Sequence, residues 1–239
     1  MITRENFEKY CKENNLRYKV DYSIYGKYLD KDWNHRIFIV ICGYGYLKTA
    51  QWLHSLGNID IHTNNEESFK LSCMRGHFKV AKWLLKISKK NDEIINIHIN
   101  NEEAFRWSCD YGRLEIAKWL FEISKKNREM INIHVNDEEA YRESCRCGYL
   151  EVAKWLIKIS KENGKIIDIH SHNEYSFRMS CYYEQIDVAK WLCSLCDEYY
   201  IEIENNKIVK YGIKNIYDEY LDENKGIKKV IKKLRLKII

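Results

Sequence analysis

The stretch that decides the fold is Asn101-Glu102-Glu103-Ala104-Phe105-Arg106-Trp107-Ser108-Cys109-Asp110-Tyr111-Gly112, followed by Arg113-Leu114-Glu115-Ile116-Ala117-Lys118-Trp119-Leu120-Phe121-Glu122-Ile123. It reads as two helices joined by a glycine turn. Asn100 stands where an N-cap belongs, and Glu103 three residues later predicts a capping box. Gly112 suits a helix C-cap. Leu114, Ile116, Ala117, Trp119, Leu120 and Ile123 form an apolar stripe at helical spacing, and Lys125 and Lys126 close the helix on the side its dipole favours.

The same pattern recurs along the chain. Trp52, Trp83, Trp119, Trp155 and Trp191 are separated by 31, 36, 36 and 36 residues. Cys42, Cys73, Cys109, Cys145 and Cys181 keep those separations, as do Ala50, Ala81, Ala117, Ala153 and Ala189. Phe69, Phe105, Tyr141 and Phe177 form a further column, and so do His62, His98, His134 and His170. Glu66, Glu102, Glu138 and Glu174 place a negative charge in each first turn. Two short helices cannot bury such a stripe alone, so the units must stack, with the tryptophans as a buried ladder.

These residues resemble the ankyrin repeat. In that family a small pair lies three positions before a glycine, followed by an apolar pair and a leucine pair. Ser108-Cys109, Gly112, Ile116-Ala117 and Trp119-Leu120 fill those places, and Ser72-Cys73, Ser144-Cys145 and Ser180-Cys181 repeat the first of them. The resemblance covers roughly residues 32–198, about five units. The chain departs from the family's Thr-Pro-Leu-His turn, having Glu103-Ala104-Phe105-Arg106 there, and its period is 36 residues. The Trp-rich, proline-free units with an Asn/Asp-Ile-His loop are similar to ankyrin proteins of giant amoebal viruses. The resemblance implies an all-α repeat solenoid of about five helix pairs and a protein-binding role, with a viral protein and a host target as the narrower expectation.

The flanks read differently. Phe7 and Cys11 echo Phe38 and Cys42, but Asp21 falls where a tryptophan belongs, so residues 1–31 are expected to be a degenerate cap. Tyr200-Ile201-Glu202-Ile203-Glu204, Asn205-Asn206 and Lys207-Ile208-Val209-Lys210-Tyr211 predict a β-hairpin. A basic helix is expected from about Lys225, with Ile227, Val230, Ile231 and Leu234 on one face, so residues 199–239 form a C-terminal hairpin and closing helix.

Net charge is +5, and the segment from Lys225 carries seven basic residues without an acid, leaving −2 for the rest. A nucleic-acid binder shows its basic face on the folded body, which this balance does not favour. The tail is read first as a closing helix, with an anionic membrane or nucleic acid as the lesser alternatives. No stretch is apolar for the length of a membrane span, and the N-terminus lacks a signal-peptide core. Nine cysteines without a secretion signal imply free thiols and a cytoplasmic setting, in the host cytoplasm if the protein is viral.

No phosphate loop or nucleophile turn is visible, so no enzyme, catalytic residue, cofactor or small-molecule substrate is expected. Successive helix pairs lie about 8–10 Å apart, whereas zinc ligands share one ion at about 2 Å, so the histidine column reads as hydrogen bonding between adjacent loops. His172 beside His170 leaves room for a local site. Cys193-Ser194-Leu195-Cys196 lacks the second pair that a zinc site needs. The periodic cysteines read as small core residues.

Columns on which the units disagree are expected to face solvent. They include Leu71, Trp107, Glu143, Met179, then Met74, Asp110, Arg146, Tyr182, then Arg75, Tyr111, Cys147, Tyr183, and His77, Arg113, Tyr149, Gln185. Trp107, Tyr111, Arg146, Tyr182 and Tyr183 are of types favoured at interface hot spots, and they are the candidate partner-binding residues on a first-helix and finger-loop face. The partner is an unidentified protein. A rival reading is an adaptor that recruits a target to host ubiquitination machinery. Because no four ligands converge, EDTA is expected to leave the melting temperature unchanged. A fall that zinc restores would contradict this.

Overall fold

The computed structural model describes residues 4–13, 33–57, 59–214 and 217–220. Its elements run α1 (Arg4–Glu13), α2 (Trp33–Gly43), α3 (Leu47–Ser55), α4 (Thr63–Met74), α5 (Phe78–Lys90), α6 (Ile99–Asp110) and α7 (Leu114–Lys126). They continue through α8 (Val135–Arg146), α9 (Leu150–Glu162), α10 (Ser171–Tyr182), α11 (Ile186–Leu195), β1 (Tyr199–Glu204), β2 (Lys207–Ile213) and β3 (Tyr217–Tyr220). From α2 to α11 these are five helix pairs. The chain divides into two compact units, residues 1–104 and 105–239, and the division falls inside α6.

The core follows the columns. Phe38, Phe69, Phe105, Tyr141 and Phe177 are buried, as are Leu53, Leu84, Leu120, Leu156 and Leu192 and the alanine and cysteine columns. The tryptophans are not: Trp52, Trp83, Trp119, Trp155 and Trp191 are all half-buried. The buried ladder expected of them is corrected to a flank of the core. Phe38 meets Trp83 with ring centroids 6.2 Å apart, Phe105 meets Trp155 at 6.1 Å and Tyr141 meets Trp191 at 6.5 Å. Trp83, Trp155 and Trp191 thus lie against the first helix of the preceding pair, and the leucine beside each takes the interior position.

A conserved set of hydrogen bonds shapes the loops. The Asn/Asp-Ile-His sequence is an Asx turn: His98 N–H donates to Asn96 Oδ1 at 2.9 Å, and His62, His134 and His170 do the same with Asp60, Asn132 and Asp168. Ser124 Oγ accepts from Ile131 N–H at 3.1 Å, and Ser88 and Ser160 hold Ile95 and Ile167 likewise. That serine clasp ties the long loop back to the second helix, where Ile95, Ile131 and Ile167 are buried.

The starts of α4, α6, α8 and α10 differ from a capped right-handed helix. Asn100, Asn101 and Glu102 have φ of 53°, 57° and 61°, and Asn64 to Glu66, Asn136 to Glu138 and His172 to Glu174 repeat the left-handed stretch. Asn100 therefore does not cap the helix. Its amide donates to Glu103 Oε2 at 2.8 Å, and right-handed helix begins at Glu103. Asparagine and aspartate tolerate this backbone region, and the glutamate in it is compensated by the bonds of its buried carboxylate.

The second prediction for the first helix holds. Arg113 N–H donates to Ser108 O at 2.7 Å and Gly112 N–H to Cys109 O at 3.0 Å, a glycine-closed helix end. The asparagine pair forms the hairpin turn with φ of 49° and 61° at Asn205 and Asn206, both positive as a tight two-residue turn requires. β1 and β2 pair antiparallel, with Glu202 Oε1 and Lys210 Nζ 3.2 Å apart across them. β3 adds a third strand on β2 that the sequence did not announce. The expected helix from Lys225 and most of the expected cap over 1–31 lie outside the described residues. Within them, α1 buries Phe7 and Cys11, and Tyr10 stacks on Trp52 at 3.8 Å.

Gly112 has φ +68°, and a Cβ there would lie 2.5 Å from Cδ1 of Tyr149. Gly164 has φ +78° with nothing within 4 Å of such an atom. Gly164→Ala is therefore expected to cost about 1 kcal/mol for backbone conformation alone, and Gly112→Ala about 2 kcal/mol or more. Thermal or urea unfolding of the two variants measures the difference, and equal costs would show that Tyr149 does not pack there.

Candidate functional site

Within unit 2, the first helices place a row of charged and aromatic side chains side by side. Arg106 on α6 reaches Glu139 on α8 at 2.6 Å. Arg142, one repeat further along the same column, sits over the Tyr175 ring of α10 at 5.0 Å. Unit 1 has the equivalent contact, Lys70 to Glu103 at 2.7 Å, with Glu67 also at 2.9 Å from the same ammonium. Each joins a basic residue to a partner 33 positions on, one repeat less one helical turn. The pairing was legible as opposite charges at that separation but needed the helices side by side to be recognised.

The next step along α8 carries the predicted residues. Arg146 pairs with Glu143, and Tyr175 Oη donates to Glu143 Oε1 at 2.9 Å. The Arg146 guanidinium lies 5.5 Å from the Tyr183 ring, and Tyr183 meets Tyr182 edge-on at 5.0 Å. Arg146, Tyr182 and Tyr183 thus come together. Tyr111 follows Trp107 on α6, its N–H donating to the Trp107 carbonyl at 3.1 Å. Among the described residues the Tyr111 ring is not in ring contact with the other three. Tyr111, Tyr182 and Tyr183 are 47%, 56% and 48% exposed, whereas Trp107 and Arg146 are half-buried.

These residues occupy the C-terminal ends of the first helices and the turns after them. The Asx-turn loops sit at the opposite ends, about 10 Å away along a helix running from Glu139 to Arg146. The expected face is therefore narrowed to the helix ends. One varied column does more than face solvent, although its Tyr149 stays exposed. His77, Tyr149 and Gln185 each cover the glycine of the preceding turn, Gly45, Gly112 and Gly148. A glycine presents flat backbone, so side chains of different shape can cover it.

Asp110 lies beside Tyr111 at the centre of this arrangement. Its carboxyl is pushed up to about 7, first by burial, then by the negative charges of Glu139 and Glu143, against the opposing pull of Arg106 and Arg146. Its buried Oδ1 has no hydrogen-bond partner. Burial and Glu143 also raise the Tyr175 phenol to about 12. Asp110 and Glu143 belong to columns recognised as varied, but no sequence signal showed that the two would share one charged cluster.

The other candidates resolve as structure. His98 Nδ1 bonds Glu102 of its own unit at 2.9 Å, and His62, His134 and His170 do so with Glu66, Glu138 and Glu174. Histidines were expected to join adjacent loops; the carboxylate does it instead, Glu66 Oε1 accepting from Asn96 N–H at 3.2 Å. His172 does reach across, with Nε2 3.2 Å from Asp137 Oδ2 of the preceding loop, and His62 Nε2 lies 3.9 Å from Glu93 Oε2 of the following one. No group of three metal-ligating side chains is present among the described residues. Burial pushes the Cys145 thiol up to about 12 and the half-buried Cys193 thiol up to about 11, so both stay protonated at neutral pH.

The Asp110 shift has a direction in pH. A carboxyl raised in the folded state binds protons that the unfolded chain has released, so its contribution is present below about pH 4 and is lost as pH rises to about 7. Asp110→Asn is expected to raise stability by about 1–2 kcal/mol at pH 8 and to add nothing at pH 4. Unfolding at the two pH values tests this, and a loss at pH 8 would mean that the ionised carboxylate is needed.

No curated protein matches the chain. Residues 37–137, from α2 into the start of α8, match the family model for ankyrin repeats (3 copies).

Proposed function

We propose that the chain is a non-enzymatic scaffold that binds another protein through the first-helix ends of unit 2. Ankyrin repeats generally serve as protein-interaction modules. The observation that carries the assignment here is the exposed Tyr111 and the exposed Tyr182–Tyr183 pair with Arg146 held beside it. Tyrosine and arginine are enriched at interface hot spots because they present apolar area and directed polar groups together. Glu143 fixes the Arg146 side chain before any partner arrives, which lowers the ordering cost of binding.

The setting that fits this reading is the cytoplasm, supported by cysteines that are unpaired and, along the repeat column, buried. No described helix is long and apolar enough to cross a membrane. A viral protein acting on a host target is the narrower form of the proposal, and its support is the resemblance of the proline-free, Trp-rich units.

Affinity capture from cells followed by mass spectrometry identifies the partner. Trp107→Ser with Tyr111→Ser is then expected to abolish its binding, since such anchors each contribute about 2 kcal/mol or more at an interface centre. Tyr182→Ser with Tyr183→Ser should do the same while changing stability by about 1 kcal/mol or less. Binding that survives both pairs but is lost on deletion of residues 225–239 would move the functional surface to the tail.

A further inference from the structure

The outer face of α5 in unit 1 carries Lys79, Lys82, Lys86, Lys89 and Lys90, all exposed. At these spacings they form one stripe about 16 Å long. α5 contains no acidic residue, and none of the five is in an ion pair among the described residues. The equivalent helices of unit 2 are built differently. On α7, Glu115 and Glu122 replace Lys79 and Lys86, and Glu115 lies 3.4 Å from Lys118. On α9, Glu151 and Lys154 are 3.2 Å apart, and Lys158 and Glu162 3.8 Å. Lysines three and four residues apart repel one another, so α5 tolerates a charge pattern that its counterparts neutralise. Lys48, exposed on α3, occupies the Lys79 column and extends the positive face.

We propose that this face of α5 binds an acidic protein segment, an extended stretch with carboxylates on alternate residues. Alternate residues of an extended chain repeat at about 6.6 Å, comparable with the rise of about 4.5–6 Å between Lys79, Lys82, Lys86 and Lys89, with Lys90 adjoining the last. The face suits a membrane poorly, because surface-bound helices insert apolar side chains and α5 exposes no large one. It suits single-stranded nucleic acid poorly too, having no exposed aromatic ring on which bases would stack. Ammonium groups without planar hydrogen-bonding forks, of which Lys82 lies over the Phe78 ring at 3.9 Å, match carboxylates spread along a flexible chain.

Fluorescein-labelled decaglutamate, titrated with the full chain and followed by anisotropy, tests the proposal. Binding should weaken as salt rises, and the variant Lys79→Gln, Lys86→Gln, Lys90→Gln should raise Kd about ten-fold or more. The same loss of charge on α7, Lys118→Gln, Lys125→Gln, Lys126→Gln, should change Kd less than about two-fold. Thermal unfolding of both variants confirms that the fold is kept. An α5 variant that binds like wild type overturns the proposal. So does loss of decaglutamate binding on the tail change Lys228→Gln, Lys229→Gln, Lys232→Gln. Tighter binding of a ten-residue oligothymidylate, or of phosphatidylserine-containing vesicles, through the α5 lysines would replace the acidic segment with that partner.

Discussion

A helix pair of this kind has two apolar faces and no interior of its own, so it is stable only when something covers each face. Within each unit that cover is the next pair, which brings Trp83 against Phe38 in unit 1, and Trp155 against Phe105 and Trp191 against Tyr141 in unit 2. After α11 the sheet provides that cover. Tyr199 stacks on Phe177 at 4.2 Å, and Tyr211 meets the same ring edge-on at 6.2 Å. Tyr199 Oη also bonds Glu174 and lies 3.1 Å from His170 Nδ1. One tyrosine thus closes both the apolar column and the loop carboxylate, which otherwise has only its own histidine.

That carboxylate explains why the loops repeat so faithfully. Glu66, Glu102 and Glu138 are nearly inaccessible to water, and a buried acceptor without donors is costly. The Nδ1 of the histidine four residues earlier supplies one donor, and in unit 1 the backbone of the following loop supplies another. To aim the carboxylate there, the chain passes through three left-handed residues, an unfavourable conformation for glutamate. Histidine, asparagine and glutamate therefore recur together as one device. Metal binding is not needed to explain the column.

The helix pairs and their stacking could be read from the sequence because burial dictates the same residue at each repeat. The hairpin turn could be read because Asn205 and Asn206 suit positive φ. Asn100 misled for a related reason: asparagine favours both an N-cap and left-handed backbone, and local sequence does not choose between them. The tryptophans misled by size, since a large apolar side chain repeated at one position suggests full burial while Leu120 and its equivalents already fill the interior. Tyr149 looked variable because the glycine under it accepts many shapes. The shift of Asp110 depends on Glu139, Glu143 and Arg146 from another helix, a proximity that no single repeat contains.

Two kinds of surface remain once the repeating positions are accounted for, and they differ in physics. The helix ends of unit 2 combine exposed tyrosines with charges that are already paired, Arg106 with Glu139 and Arg146 with Glu143. Pairing within the protein reduces long-range attraction, so affinity there has to come from contact area and desolvation, which depend on shape. The lysines of α5 act oppositely: exposed and outside any ion pair among the described residues, they attract over about a Debye length, roughly 8 Å in physiological salt, with little dependence on shape. A surface of the first kind selects its partner, and one of the second kind accelerates encounter with any chain of suitable charge. The repeat accommodates both because stacking fixes only the buried columns, leaving the outer face of each second helix and the end of each first helix to vary independently.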